Sequence, residues 1–316
     1  MDQSILSSRA IMGMYYARLE TNPGLAWVNA VSNDFGSDQA SEQYALAGMS
    51  PALREWVGGR QAKGLRVNDL TIVNKHYEAT MEVRVRDARR DKTGQIVARI
   101  NEFADRALTH WASLLSTLLL NGPSTVCYDG QFYFDTDHVE GDSGTQDNDI
   151  SVDISTFDPA RDVVTNPTAI QMQAAIVNAI AKILGFKDDR GEPMNENAMS
   201  FLVLVPIGLY IPALASVNVL TTAAMQQNIN PNAVKPGMVV DVQMNPRLTW
   251  TDSFAVFRTD SPIKGLIRQS ETETELKAKA EGSEFEFDND AWQFGIDAWR
   301  NVGYGYWQRA CYVTLV

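Results

Sequence analysis

The 316 residues include 39 Asp and Glu against 27 Lys and Arg, so the formal net charge is −12, and 45% of the residues are hydrophobic. The length is typical of about two domains, and the apolar fraction is sufficient for a sizeable core. An acidic chain excludes capture of nucleic acid by a positive field over its whole surface. No stretch reaches the roughly 18 apolar residues that a membrane span needs.

The two cysteines, Cys127 and Cys311, are predicted to be free thiols in a reducing compartment. Neither belongs to a CxxC pair or to a cysteine and histidine spacing that would indicate zinc. The N-terminal "MDQSILSSRAIMGMYYARLE" lacks the basic start, the apolar run and the cleavage site of a signal peptide. The sequence therefore predicts neither a secretion signal nor a metal-held fold.

Residues 1–50 are predicted to form one or two short helices followed by an extended arm. The segment is rich in Ala, Ser and Asn and carries scattered aromatic residues such as Tyr15 and Trp27. This is too little apolar surface for the segment to fold alone. We therefore expect the arm to lie on another surface.

Residues 51–93 are predicted to form a long β-hairpin. "LTIVN" is one β-rich run, and "YEATMEVRVRD" alternates apolar and polar residues with a period of two. The sequence "VNKHYE" is interpreted as the turn between them. Basic residues outnumber acidic ones here, and a two-stranded ribbon is marginal in water. The hairpin is therefore expected to dock on a neighbour.

Residues 94–121 are predicted to form one long helix. Apolar residues recur at steps of three and four, which is typical of an amphipathic helix. They are Ile96, Ile100, Phe103, Ala107, Trp111, Leu114 and Leu118. Thr93 is a candidate N-cap, and Asn121-Gly122-Pro123 ends the helix because proline cannot continue it.

The rest of the chain alternates between helices and strands. "STVCYDGQFYFDTDH" is interpreted as a strand, a tight turn at Asp129-Gly130 and a second strand. From 166 to 250, two helical patterns alternate with the strands "SFLVLVP" and "GMVVDVQM", which indicates a compact α/β unit. From 251 to 316 the patterns are those of strands, including "SEFEF", whose Glu284 and Glu286 would share one face.

The acidic stretch from Tyr128 to Asp142 raises the question of a metal site or a catalytic centre. Asp135, Asp137 and His138 have suitable ligand chemistry, but a strand points the two aspartates to one side and His138 to the other. The chain has no HExxH, EF-hand, GxSxG or P-loop pattern. The three residues are therefore predicted to be structural or contact residues, and no catalytic residue, metal or cofactor is expected.

Several quoted segments resemble the major head subunit of Mu-like phages and prophages. "LREWVGGRQAKGL…LTIVNKHYEATMEVRVRD" is similar to that family's tryptophan-containing helix followed by a Y-E-x-T strand. "VCYDGQFYFDTDH" is similar to its most recognisable segment. "IKGLIRQ" matches a segment usually read as "IKPLIxQ", with Gly265 in place of proline, and "FGIDAWRNVGYGYWQRACY" resembles its C-terminal strand pair. The resemblance covers residues from about 50 to 316.

The resemblance implies the α+β Hong Kong 97-type capsid fold. Residues 1–50 would be the N-terminal arm and 51–93 the extended loop. The peripheral domain would comprise 94–165 and 251–316, with 94–121 as its spine helix, and 166–250 would be the axial domain. The chain begins at Met1 with no long helical leader, so a separate scaffolding protein is expected rather than a fused one.

The implied function is self-assembly into hexamers and pentamers of an icosahedral tailed-phage head around double-stranded DNA, without enzymatic activity. Further expected partners are a portal protein and decoration proteins, with no membrane, in a virion assembled in the host bacterial cytoplasm. The predicted contacts between subunits are made by Lys63, Arg66, Lys75, Arg84, Arg86, Asp135, Asp137 and His138. Two alternatives remain: a nanocompartment shell of the same fold, and a metal-dependent hydrolase centred on Asp135, Asp137 and His138.

Overall fold

The computed structural model describes residues 7–22, 24–47, 67–90, 94–158, 163–225 and 237–316. The α-helices in these ranges are α1 (Ser8–Thr21), α2 (Ala26–Val31), α3 (Val85–Arg90), α4 (Gln95–Leu120), α5 (Ala169–Gly185), α6 (Ile207–Met225) and α7 (Glu284–Asn289). The strands are β1 (Ser32–Gly36), β2 (Ser41–Ala47), β3 (Val67–Val73), β4 (Lys75–Arg84), β5 (His138–Val139), β6 (Thr145–Gln146), β7 (Asp149–Val152), β8 (Ser200–Val205), β9 (Val239–Met244), β10 (Ser253–Arg258), β11 (Leu266–Lys279), β12 (Ala291–Tyr304) and β13 (Ala310–Leu315). None of the described helices is both long and apolar enough to cross a membrane.

The N-terminal segment forms the predicted short helices and then extended strands. Helix α1 lies against α4, where the Arg18 guanidinium donates to both Asp105 carboxylate oxygens at 2.8 and 2.9 Å. Tyr15 is fully buried between them, and strand β1 pairs in parallel with β11. Much of the predicted arm therefore rests on its own chain.

The long helix predicted over 94–121 is confirmed as α4. It begins after Gly94, whose φ of 70° is left-handed, while Thr93 lies outside the described residues. Its first half packs against α1, β4 and β12, and its second half packs against the α/β layer. One helix therefore links two hydrophobic cores, which is how it fixes the relative position of the two sheets.

The predicted hairpin between the runs before and after residue 74 is wrong. Strand β3 pairs antiparallel with β2, and β4 pairs antiparallel with β12. Asn74 alone separates β3 from β4, whereas a tight hairpin needs a loop of two or more residues. The antiparallel ladder is instead β2–β3, and its connecting residues 48–66 lie outside the described part of the chain.

Strand β4 stands at one edge of a four-stranded sheet with the order β1–β11–β12–β4. Its side chains alternate as predicted, so that Val83 is buried and Met81 half-buried against α4 while Glu82 and Arg84 are exposed. This burial, rather than a hairpin partner, stabilises the strand.

A second sheet has the order β7–β13–β10–β8–β9, with α5 and α6 packed on it. Strand β10 pairs with both β8 and β13, and every one of its residues is buried. The domain boundaries predicted at 165 and 250 therefore do not separate two sheets. The helix and strand alternation identified the α/β layer, but strand pairing over long sequence distances cannot be read from alternation.

Residues 284–289 form helix α7 rather than the predicted strand. The Ser283 hydroxyl accepts from the Glu286 N–H at 3.2 Å, which caps the helix, and Asp290 ends it at a left-handed φ of 49°. The Glu286 carboxylate accepts from the Trp292 indole at 2.9 Å. Glu284 and Glu286 therefore do not lie on a strand face. Helix α7 forms the tip of the long β11–β12 ribbon.

Candidate functional site: the Asp129–His138 cluster and the predicted contact residues

A tight turn positions Asp129, as the sequence predicted, but extended strands do not flank it. Gly130 has a φ of 91°, which suits glycine, and the Cys127 N–H donates to the Gln131 carbonyl at 2.8 Å. A single bridge between Val126 and Phe132 closes the turn. The turn aims the Asp129 carboxylate into the protein.

The Asp129 carboxylate joins Cys127 and His138 in a buried cluster. His138 Nδ1 lies 2.7 Å from Asp129 Oδ2, and the Cys127 thiol donates to Asp129 Oδ1 at 3.0 Å. The side chains of His138 and Asp129 are 0% and 3% exposed. The His138 ring stacks on Trp307 with ring centroids 4.0 Å apart. The cluster thus joins the turn, strand β5 and the segment before β13.

Asn148 completes the cluster from the other side of the His138 ring. Its Nδ2 donates to the Tyr133 carbonyl at 2.9 Å, which orients its Oδ1 towards His138 Nε2 at 3.2 Å. The same oxygen accepts from the Asp135 N–H at 2.9 Å. Both ring nitrogens of His138 therefore face oxygen atoms.

The electrostatics of the cluster favour an ionised Asp129 and a neutral Cys127. Burial acts to raise the pKa of Asp129, but hydrogen bonds from His138 and Cys127 outweigh it and hold this pKa below its usual range. Burial, reinforced by the negative charge of Asp129, raises the pKa of the Cys127 thiol. A thiol that is protonated and buried is a poor nucleophile.

The donor set of Cys127, Asp129 and His138 has ligand chemistry suited to zinc, with the ligand atoms within 4.8 Å of one another. The three side chains already satisfy one another by hydrogen bonds. This arrangement explains their burial without an ion. We therefore assign the cluster a structural role.

The hydrolase centre that was kept as an alternative is not assembled by the fold. Asp135 accepts from the N–H groups of Thr136 and Phe132 at 2.7 and 3.1 Å, and so caps the local backbone. Asp137 is exposed, whereas His138 is buried and paired with Asp129. The three residues therefore do not converge, although Asp135 and Asp137 flank a bend at Thr136 rather than lying in the predicted strand.

The eight predicted contact residues divide into three groups. Lys75, Arg84, Arg86 and Asp137 are exposed, and Asp135 is half-buried. Lys63 and Arg66 lie outside the described residues. The prediction that His138 contacts another subunit is wrong, because its ring is 0% exposed within its own chain.

Sequence reasoning missed the partners that decide this cluster. Asp129 was identified only as a turn residue, and Asn148 and Trp307 were not linked to His138. The turn at Asp129-Gly130 was a usable signal for an inward carboxylate. The contacts to Asn148 and Trp307 span 10 and 169 residues of sequence and follow no local pattern.

Most of the chain matches one known protein family. The profile described as "Mu-like prophage major head subunit gpT" matches residues 14–161 and 236–314, well over half of the chain. The chain belongs to this family. The family consists of structural capsid proteins, and this membership confirms the prediction that the chain is not an enzyme.

Two curated relatives are similar over part of the chain. The Mu-like prophage FluMu major head subunit of Haemophilus influenzae is 35% identical over 122 residues, which cover 39% of this chain and 40% of that protein. The major capsid protein of Escherichia phage Mu is 31% identical over 110 residues, covering 35% and 36%. The chain thus aligns with about two fifths of each relative.

Solved phage capsids share the fold. A subunit of the bacteriophage JBD30 procapsid matches with a TM-score of 0.54 and 21% identity, over 96% of this chain and 72% of that chain. The capsid subunit of Ralstonia phage GP4 matches with a TM-score of 0.56 and 9% identity, over 90% and 87%. At these identities the likeness shows the fold alone. The predicted Hong Kong 97-type capsid fold is confirmed.

Proposed function

We propose that the chain is the repeating shell subunit of a tailed-phage head. Copies form hexamers and pentamers that tile an icosahedral shell and enclose packaged double-stranded DNA. The observation that carries this proposal is the family match, which covers both the N-terminal half and the C-terminal strands. The capsid fold across nearly the whole chain supports it.

The architecture supports different positions in the capsomer for different parts of the subunit. The α/β layer of α5, α6 and the five-stranded sheet would lie at the capsomer centre. Helix α4 and the long β11–β12 ribbon would form the peripheral part, and the β2–β3 ladder would reach over a neighbour. Many modest interfaces of this kind, repeated by symmetry, would hold the shell together.

Exposed basic residues are the proposed contacts to acidic loops of the next subunit. Arg84 and Arg86 are exposed, and among the described residues the carboxylate nearest to Arg86 is that of Asp87 at 3.8 Å. In the acidic loop 140–149, Asp142 is exposed, while Asp147 is paired with Lys182 at 3.0 Å. Each exposed pair contributes about 0–1 kcal/mol, so the effect depends on multiplicity. Reversing Arg84 and Arg86 to Glu should reduce the yield of shells, and an unchanged yield would contradict these contacts.

A separate scaffolding protein, a portal protein and decoration proteins complete the proposed set of partners, with assembly in the host bacterial cytoplasm. One solved JBD30 capsid is decorated with minor capsid protein trimers. The net charge of −12 suits an inner wall that does not bind its DNA tightly. Packaged DNA would therefore be enclosed without sequence-specific contacts.

The alternative of a nanocompartment shell shares this fold. A virus-like particle from Pyrococcus furiosus matches with a TM-score of 0.51 and 10% identity. The fold does not separate the two functions. The family match to phage head subunits favours the phage head.

The test is the size of the purified protein, measured by light scattering and negative-stain microscopy with and without a co-expressed scaffold. Rings, tubes or closed shells are expected. A strict monomer or small dimer under both conditions would overturn the proposal.

A further inference from the structure

A groove of about 1090 Å³ runs along helix α4, between the helix and the edge strand β4. Its lining extends from Gln95 to His110 on the helix, which corresponds to about 22 Å. Because side chains alternate along a strand, the wall formed by β4 presents Tyr77, Met81 and Val83 to the groove, while its glutamates point to the opposite face. The groove is therefore apolar on its sheet side.

The charged side chains that face this groove are mainly basic. By strand alternation, four charged residues of the lining point to the far face of the sheet: Glu78, Glu82, Arg84 and Asp297. The charged residues that remain are Arg90, Arg99, Arg106 and Arg300 against Asp87 and Glu102. Glu102 is shared by two of the arginines, since Arg99 and Arg106 each donate to it at 2.8 Å. Arg99 and Arg106 remain 75% and 76% exposed. The rim therefore has an excess of positive charge on exposed guanidinium groups.

Arg300 closes the inner end of the groove as a buried cation. Its guanidinium lies 4.8 Å from the centre of the Trp111 ring and donates to the Thr274 hydroxyl at 3.1 Å. Its Nε has no hydrogen-bond partner among the described residues. A 5%-exposed arginine without a carboxylate partner in the described part of the chain adds to the positive field of the groove.

The tip of the β11–β12 ribbon has the opposite chemistry. Residues 281–290, "EGSEFEFDND", contain five carboxylates and no basic residue. Phe287 is 91% exposed, with the exposed Glu284 and Asp288 beside it. The tip is preorganised, because the Gly282 N–H and the Trp292 indole both donate to Glu286 at 2.7 and 2.9 Å. A rigid aromatic side chain that is exposed within an acidic rim is typical of a contact anchor.

We propose that Phe287 of one subunit docks into the α4–β4 groove of a second copy, with Glu284 and Asp288 meeting Arg99 and Arg106. Aromatic surface would enter an apolar groove, and acidic groups would meet a basic rim. The contact is heterologous, because tip and groove are different surfaces, so repeating it generates a closed ring when the rotation closes. This inference rests on the proposed shell function and names one of its interfaces.

The test uses thiol crosslinking between copies. The native Cys127 and Cys311 are 7% and 0% exposed, so introduced surface cysteines are the reactive ones. A subunit carrying Asn289→Cys, at an exposed position two residues from the retained Phe287, is co-assembled with one carrying Arg99→Cys, and the shells are treated with a short bis-maleimide. A covalent dimer is expected from this mixture. Glu192→Cys, at an exposed residue outside the groove, replaces Arg99→Cys in the matched control and should give none.

A second variant, Phe287→Ser, tests the same contact without a crosslinker. Losing an aromatic anchor should weaken each contact by about tenfold or more, so shells should be lost while the circular dichroism spectrum of the subunit is unchanged. Normal shell yield from Phe287→Ser, or crosslinking of Asn289→Cys only to itself, would overturn the inference while leaving the shell function intact. A parent chain that never assembles would overturn the shell function, and this inference with it.

Discussion

Two acidic, aromatic stretches of similar composition differ in this protein in whether their side chains point inward or outward. In 128–142, the Asp129 carboxylate is turned inward and bonded to His138 and Cys127. In 281–290, Phe287 and the neighbouring carboxylates face outward from the tip of a ribbon. The first stretch links three segments of one chain. The second leaves an apolar side chain, Phe287, exposed to solvent.

The difference between them lies in which partners the chain supplies. Within the inward stretch His138 pairs with Asp129, and two residues from outside it, Asn148 and Trp307, contact the His138 ring. The tip uses Glu286 to hold its own shape and leaves Glu284 and Asp288 unburied. Composition therefore does not distinguish a structural acidic stretch from a contact surface, whereas the count of internal partners does.

Within residues 128–142, the largest effect on stability is expected from removing Asp129. The variant Asp129→Ala leaves the fully buried His138 without its carboxylate and should lower the free energy of unfolding by about 3–5 kcal/mol. The measurement is urea unfolding of the unassembled subunit. The matched control is the exposed Asp137→Ala, which should change this free energy by less than about 0.5 kcal/mol. Equal effects of the two substitutions would show that the cluster does not stabilise the fold.

The local patterns of the sequence predicted most helices and strands. The steps of three and four gave α4 within one residue at each end, and the period of two gave β4. The buried face of α4 was less well predicted, since Leu115 and Leu119 are fully buried in place of Leu114 and Leu118. Where leucines are adjacent in sequence, two faces of the helix are apolar, and the position of the neighbouring sheet determines which of the two is buried.

The errors in the predicted secondary structure have two causes: strand partners that are distant in sequence, and local hydrogen bonds that favour a helix over a strand. Alternation shows that β4 is a strand, but it does not show that β12 is its partner, because the two are about 200 residues apart. In "SEFEF" the alternation predicted a strand, and the Ser283 cap with the Trp292–Glu286 hydrogen bond produced a helix instead. The Asp129 cluster was only partly predictable for the same reason: its turn is local and its partners are distant.

Each of the two stretches contains a glycine with a left-handed backbone, so the cost of an alanine substitution can be compared between them. Gly141 has a φ of 55°, and a Cβ there would lie 2.3 Å from the Asp189 carbonyl oxygen. Gly282, at the ribbon tip, has a φ of 82° with no described heavy atom within 4 Å of such a Cβ. Replacement by alanine should cost about 1–2 kcal/mol of stability at Gly282 from backbone strain alone. It should cost more at Gly141, because the backbone at Asp189 must also move. Denaturant unfolding of the two variants measures both losses, and a larger loss for the Gly282 variant would contradict the prediction.

The acid stability of the subunit should depend on Asp129. Its pKa is lowered in the folded protein, so its stabilising contribution is fully present above the unfolded value of about 4 and is lost as the pH falls through the lower folded value. Between pH 4 and more acidic conditions, Asp129→Asn should therefore show a shallower loss of stability than the parent. The measurement is the unfolding free energy as a function of pH. Parallel curves would show that Asp129 titrates alike in both states.

The smallest effect on the isolated subunit is expected from Phe287→Ser, although the same change should abolish shells. With 91% of its surface already in water, this side chain loses little burial when it is truncated, so the unfolding free energy should change by less than about 0.5 kcal/mol. The buried Phe294 on the same ribbon provides the contrast, since Phe294→Ala should cost about 3–5 kcal/mol. Calorimetry of the unassembled subunit separates the two. A large loss of stability in Phe287→Ser would mean that the ring is covered within its own chain, and the tip could then not serve as a contact anchor.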